Sequence, residues 1–172
     1  MKYAMFLRGI NVGGIKVPMA DLRECLKQLG LNEVKTFLQT GNVLFESTLS
    51  VTKLKPLIEA ALSQKFNYDA NVLIYPADSL KVVISKCPFA PEEGVHRYVI
   101  FCADQKTVNE LKAHVNEIDP AEAIAPGEGV VYWRVPKGST LDTAFAKIIS
   151  KPKFKASTTN RNTNTLEKML KS

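Results

Sequence analysis

The chain has 172 residues, 45% of them hydrophobic, three cysteines and a formal net charge of +6. That composition excludes a disordered polypeptide and leaves room for one domain or two small ones. No apolar run has the length of a membrane span or a signal-peptide core, and three scattered cysteines without a C-x-x-C pair suit neither a disulfide framework nor a zinc site.

Residues 3–7, by their brevity and aromatic content, predict a short buried strand. A glycine-rich loop, residues 8–17, follows. Pro18 then suits a first helical position, with Asp21 in the first turn. Leu22, Cys25, Leu26 and Leu29 fall at i, i+3, i+4 and i+7, a helix that Gly30 stops. Residues 34–40 and 43–47 predict two strands joined by a two-residue type II′ turn at Gly41-Asn42. Leu54, Leu57, Ile58, Ala61 and Leu62 predict the next helix, residues 71–75 a fourth strand, and Leu80, Val83, Ile84 and Cys87 a trailing helix.

From residue 97 the order repeats. Residues 97–102 predict a strand patterned like residues 3–7, and Val108, Leu111 and Val115 mark a helix. Residues 121–125 and 130–135 flank a Pro126-Gly127-Glu128-Gly129 turn. Leu141, Ala144, Phe145, Ile148 and Ile149 predict a helix, residues 154–158 a last strand, and Leu166, Met169 and Leu170 a trailing helix. The predicted fold is α+β: a tandem duplication of a ferredoxin-like β-α-β-β-α-β unit, each copy followed by a helix. Residues 1–90 form the first copy, with the long loop; residues 91–172 form the second, with a basic end. Tyr3 then corresponds to Tyr98, and Leu80 to Leu166.

In this topology the first and third strands are antiparallel neighbours, so residues 8–17 and 39–42 meet at one end of the first sheet. The second copy makes the equivalent connection with little more than Asp104-Gln105-Lys106, so the long loop is not required by the fold. Surplus loop on a rigid scaffold is where function tends to sit. The loop is not a Walker phosphate loop, because Ile15 precedes Lys16 and Val17 stands where a magnesium-binding hydroxyl belongs. A looser anion site remains: Arg8 as a bidentate donor, amides of Gly13 and Gly14, and Asn11, Gln39 and Asn42 as hydrogen-bonding neighbours. Asn42 is equally a turn residue.

Near the C-terminal end, Asn164 with Glu167 reads as an N-cap and capping box, leaving Arg161 and Asn162 as candidate readers of an anion or a base edge. Residues 137–172 hold eight basic and two acidic residues, an excess equal to the whole net charge. That asymmetry points to an acidic partner, a nucleic acid or a phosphate-bearing small molecule, or to a solvated lysine face. Tyr132 and Trp133 are consecutive and face opposite sides, which suits core packing better than RNA stacking. His96 and His114 have no partner at ligand spacing, and no serine sits in a nucleophile elbow, so neither a metal, a cofactor nor a catalytic residue is nominated.

The stretches Leu7-Arg8-Gly9-Ile10-Asn11-Val12-Gly13-Gly14, Lys16-Val17-Pro18-Met19, Gln39-Thr40-Gly41-Asn42-Val43, and Thr159 with Arg161-Asn162-Thr163-Asn164-Thr165 resemble an uncharacterised bacterial family, the domain of unknown function numbered sixteen-ninety-seven. The resemblance runs along essentially the full chain and implies the duplicated ferredoxin-like fold. It implies no activity, cofactor or catalytic residue. Members of that family commonly carry an aromatic where Thr163 stands here. The expectation from the residues is a cytoplasmic, non-membrane binding protein for an anionic ligand. The alternatives are a small-molecule enzyme using the same polar patch and a protein–protein adaptor.

Overall fold

The computed structural model describes residues 1–11 and 14–172. β1 (Lys2–Leu7) is apolar and buried from Tyr3 onward. α1 (Met19–Gln28) starts after Pro18 and buries Met19, Leu22, Cys25 and Leu26; Gly30, at φ +81°, turns the chain away from it. β2 (Asn32–Phe37), β3 (Asn42–Glu46), α2 (Val51–Phe66), β4 (Val72–Pro76) and α3 (Ala77–Ser85) follow. The strands form one antiparallel sheet in the order β2-β3-β1-β4. Met5, Leu7, Val43 and Phe45 of that sheet form a core with Leu22 and Leu26 of α1 and Leu54, Ile58 and Leu62 of α2.

The second set of elements is β5 (Val95–Cys102), α4 (Gln105–Lys112), β6 (Ala123–Pro126), β7 (Val130–Pro136), α5 (Ala144–Ile149), α6 (Pro152–Lys155), β8 (Thr158–Asn162) and α7 (Thr163–Leu170). Its sheet is antiparallel in the order β6-β7-β5-β8. The core centres on Trp133, fully buried between the rings of Tyr98 at 5.3 Å and Phe145 at 5.5 Å. Its indole N–H donates to the buried Glu122 carboxylate at 2.9 Å, which satisfies a polar atom that is expensive to bury alone. The chain divides into two units, Met1–Val82 with Met169–Ser172, and Val83–Lys168. Among the described residues the protein is thus α+β, with two four-stranded antiparallel sheets and seven helices.

The two sheets share a register. Tyr3 stands opposite Phe45 and Pro76, the last residue of β4; Tyr98 stands opposite Trp133 and Asn162, the last residue of β8. Leu7 pairs with Val72 as Cys102 pairs with Thr158. A helix begins directly after each last strand, and at the same step along it Leu80 and Leu166 are both fully buried. This correspondence is the signature of an internal duplication.

Four local expectations are corrected. The β2–β3 connection is a four-residue loop, 38–41, because Asn42 belongs to β3 and pairs with Phe37. The last strand lies at Thr158–Asn162 and not at 154–158: Phe154, the apolar anchor, is buried from a single helical turn, and the strand itself is polar. α5 starts only at Ala144, capped by the Thr143 hydroxyl, which accepts from the Ala146 N–H, and Leu141 is 86% exposed. Finally, Asn162 caps α7, its Oδ1 accepting from the Asn164 N–H at 2.9 Å, while Glu167 instead meets the Arg97 guanidinium at 3.5 Å.

Candidate functional site

The end of β1 is fastened on both sides. The Leu7 N–H donates to the Gly41 carbonyl at 2.9 Å, and the Arg8 N–H donates to the Asn71 carbonyl at 3.1 Å. The end of β5 is fastened the same way: Cys102 N–H to the Gly129 carbonyl at 2.9 Å and Ala103 N–H to the Ser157 carbonyl at 2.8 Å. Arg8 and Ala103 are therefore equivalent positions, and the fold accepts a methyl group where the first unit has a guanidinium.

Beyond Arg8 the loop turns on Gly9 (φ +66°) and Asn11 (φ +56°). The Asn11 side chain organises it: Oδ1 accepts from the Val17 N–H at 3.0 Å, and Nδ2 donates to the carbonyls of Val17 and Gln39. One asparagine thus joins the glycine-rich loop to the β2–β3 loop. Gly41 (φ +77°) sits where a Cβ would come within 2.6 Å of Leu7 Cβ and 2.9 Å of Ile10 Cδ1, so only glycine fits there. Leu38 is also left-handed, at φ +59°, and 57% exposed. Strained backbone of this kind concentrates at functional sites.

Arg8, Asn11, Gln39 and Asn42 all lie at this end of the first sheet, and Gly14 belongs to the same loop; Gly13 lies outside the described residues. Their exposures differ. Gln39 and Gly14 are exposed and Arg8 is partly buried. Asn42 is fully buried, its amide donating to the Phe37 carbonyl at 2.9 Å and the Thr40 hydroxyl at 2.8 Å, so it braces the loop from inside. Burial lowers the Arg8 pKa, and the field of Glu59 opposes that in smaller measure.

Sequence reading missed a group of α2 and β4 residues beside Arg8. Glu59 Oε1 accepts from Lys55 Nζ at 2.6 Å and from the Val72 N–H at 3.0 Å. Lys55 also donates to the Val72 carbonyl at 2.6 Å and to Asn71 Oδ1 at 3.4 Å. Tyr68 has its hydroxyl buried, and burial, reinforced by Glu59, pushes it up to about 12. The Lys55–Glu59 pair shows in sequence as an i, i+4 spacing, but its place beside β1 depends on how α2 packs on β4.

In the second unit Arg161 is on β8, opposite Val99, and only 6% exposed. It donates to the Thr159 hydroxyl at 2.8 Å, and burial pushes its pKa down to about 10. Asn162, besides capping α7, approaches His96 Nδ1 at 3.3 Å. Of the basic residues between 137 and 172, the seven lysines are exposed. Among the described residues no group of three or more His, Cys, Asp or Glu could hold a metal, and no helix is long and apolar enough to cross a membrane. Cys25, Cys87 and Cys102 are free thiols; burial, with Asp104 adding to it, raises Cys102 to about 12.

The family model described as "Protein of unknown function (DUF1697)" matches residues 1–132. Among solved structures the chain is similar to the conserved bacterial protein SP0830 from Streptococcus pneumoniae. The two share 26% sequence identity at a TM-score of 0.81, over 99% of this chain and 97% of that one. No curated protein matches the chain.

Proposed function

Since the chain belongs to this family of proteins of unknown function, we infer its activity from geometry: it binds an anionic ligand, a nucleic acid or nucleotide-like phosphate, in the cytoplasm. Each unit is read as ferredoxin-like, the observed strand orders being those of a β-α-β-β-α-β sheet with a trailing helix. Three free cysteines and the absence of a spanning helix among the described residues support a reducing, non-membrane setting.

One observation carries the reading. Arg8 occupies a strand end that is hydrogen-bonded identically in the second unit, where the residue is Ala103. The backbone pairing at this strand end therefore does not itself require an arginine. Partial burial of Arg8 lowers its pKa, and an anion beside it favours the charged form. Arg8 supplies charge-assisted hydrogen bonds and the exposed Gln39 and Gly14 line the approach, while Lys55 balances the nearby Glu59 carboxylate. Asn11 and Asn42 hold the two loops in place, and Arg161 and Asn162 serve the second sheet and α7. The exposed lysines from Lys137 to Lys171 steer acidic partners at long range.

Calorimetric titration of the wild type and Arg8→Ala with pyrophosphate, ATP and a short single-stranded RNA tests this. At least one probe binds the wild type with salt-dependent affinity, and Arg8→Ala weakens it by about tenfold or more, as loss of a hydrogen bond to a charged group does. Failure of all three probes, or equal binding by the variant, overturns the reading.

A further inference from the structure

The second unit carries a cleft of about 310 Å³, within the range of small-molecule sites. Its floor follows from the strand register. β8 ends at Asn162, opposite Tyr98, so among the described residues Val95, His96 and Arg97 pair only with β7. The chain leaves as α7, and the cleft opens over the uncovered start of β5, with Glu92, Glu93, Lys137 and Asn164 in its walls.

Most polar groups of this lining already have a use. Arg97 donates to the Phe89 carbonyl at 3.1 Å and meets Glu167 at 3.5 Å. Glu92 is paired with Arg134 at 2.6 Å. The Asn164 N–H is taken by Asn162, so the helix start contributes little. Two opposite charges are left, Glu93 and Lys137: both are exposed, both line the cleft, and neither forms an ion pair among the described residues. A simple anion here meets the repulsion of Glu93, and a simple cation that of Lys137. A molecule bearing both charges is complementary at both ends.

We propose that this cleft binds a small amino-carboxylate zwitterion, its carboxylate toward Lys137 and its ammonium toward Glu93, above His96. Two-dimensional amide NMR of the full chain tests it, with glycine, L-alanine, β-alanine and γ-aminobutyrate as probes and butyrate and butylamine as single-charge controls. At least one amino-carboxylate produces saturable shifts at His96, Arg97, Lys137 and Asn164. Lys137→Ala and Glu93→Ala, both at exposed positions, each weaken it by about fivefold while the remaining spectrum is unchanged. No saturable shift from any of the four probes, equal binding of butyrate or butylamine, or unchanged affinity in both variants overturns the proposal.

Discussion

The ends of β1 and β5 begin from the same backbone hydrogen bonds and then part company. After β5 the chain spends two residues, Ala103 and Asp104, before α4 begins; after β1 it spends eleven before α1. The short route is self-sufficient: Asp104 accepts from both the N–H and the hydroxyl of Thr107 at 2.8 Å and starts the helix. The long route has no side-chain cap at Pro18, holds left-handed residues at Gly9, Asn11 and Gly14, and relies on Asn11 to keep its shape. One duplicated scaffold thus keeps the cheapest connection in one copy and a strained one in the other. The difference points to selection for something other than stability.

The sharpest break of this comparison is at the paired glycines. Gly41→Ala brings a Cβ against Leu7 and Ile10 at a positive φ, and should cost roughly 2–4 kcal/mol in urea unfolding. Gly129 has the same role opposite β5 and a similar φ, but nothing within 4 Å of a Cβ, so Gly129→Ala should cost only about 1–2 kcal/mol. Equal losses would mean that the loop does not press on the first hairpin. Arg8→Ala comes next. It makes the first unit resemble the second at that position, so stability should fall by less than in Gly41→Ala while anion binding falls.

A smaller effect is expected at Asp104. The hydrogen bonds from the Thr107 N–H and hydroxyl hold its carboxyl below the usual carboxylate range. Its contribution is therefore present above the ordinary aspartate value of about 4 and is lost as the pH falls through the lower folded value. Asp104→Asn should flatten that part of the stability–pH curve, and an unchanged acid limb would refute the assignment. Smallest of all, replacing Lys151, Lys153 and Lys155 with glutamine should leave the melting temperature nearly unchanged, since all three are exposed and, among the described residues, only Lys153 has an ion pair, with Glu110 at 2.9 Å. The same triple variant should reduce the salt slope of any RNA binding, measured by anisotropy.

What the sequence made legible follows from what side-chain pattern encodes. Apolar periodicity located β1, α1, α2, β5 and α4 and exposed the repeat, because those elements bury one face or a continuous run. β8 escaped because Thr158-Thr159-Asn160-Arg161-Asn162 has no such pattern; pairing with β5 makes it a strand. The turn at Gly41-Asn42 was misread because a glycine beside an asparagine signals a tight turn whether the asparagine side chain faces out or, as here, folds inward to the Phe37 carbonyl. Arg8 stood out as charge in a surplus loop. Lys55, Glu59, Tyr68, Glu93 and Lys137 did not, because nothing local marks which surface residues a packed helix or an uncovered strand end will gather.

Trp133 is the sole tryptophan, and it is sealed inside the second unit against Phe145 with its N–H on Glu122. Intrinsic fluorescence excited at the indole therefore watches that unit alone. The first unit contributes only tyrosine and phenylalanine. A denaturant titration followed in parallel by indole emission and by far-ultraviolet circular dichroism separates the two halves without any label. Coincident curves mean that the duplicated halves unfold as one, and displaced curves mean that each keeps its own stability.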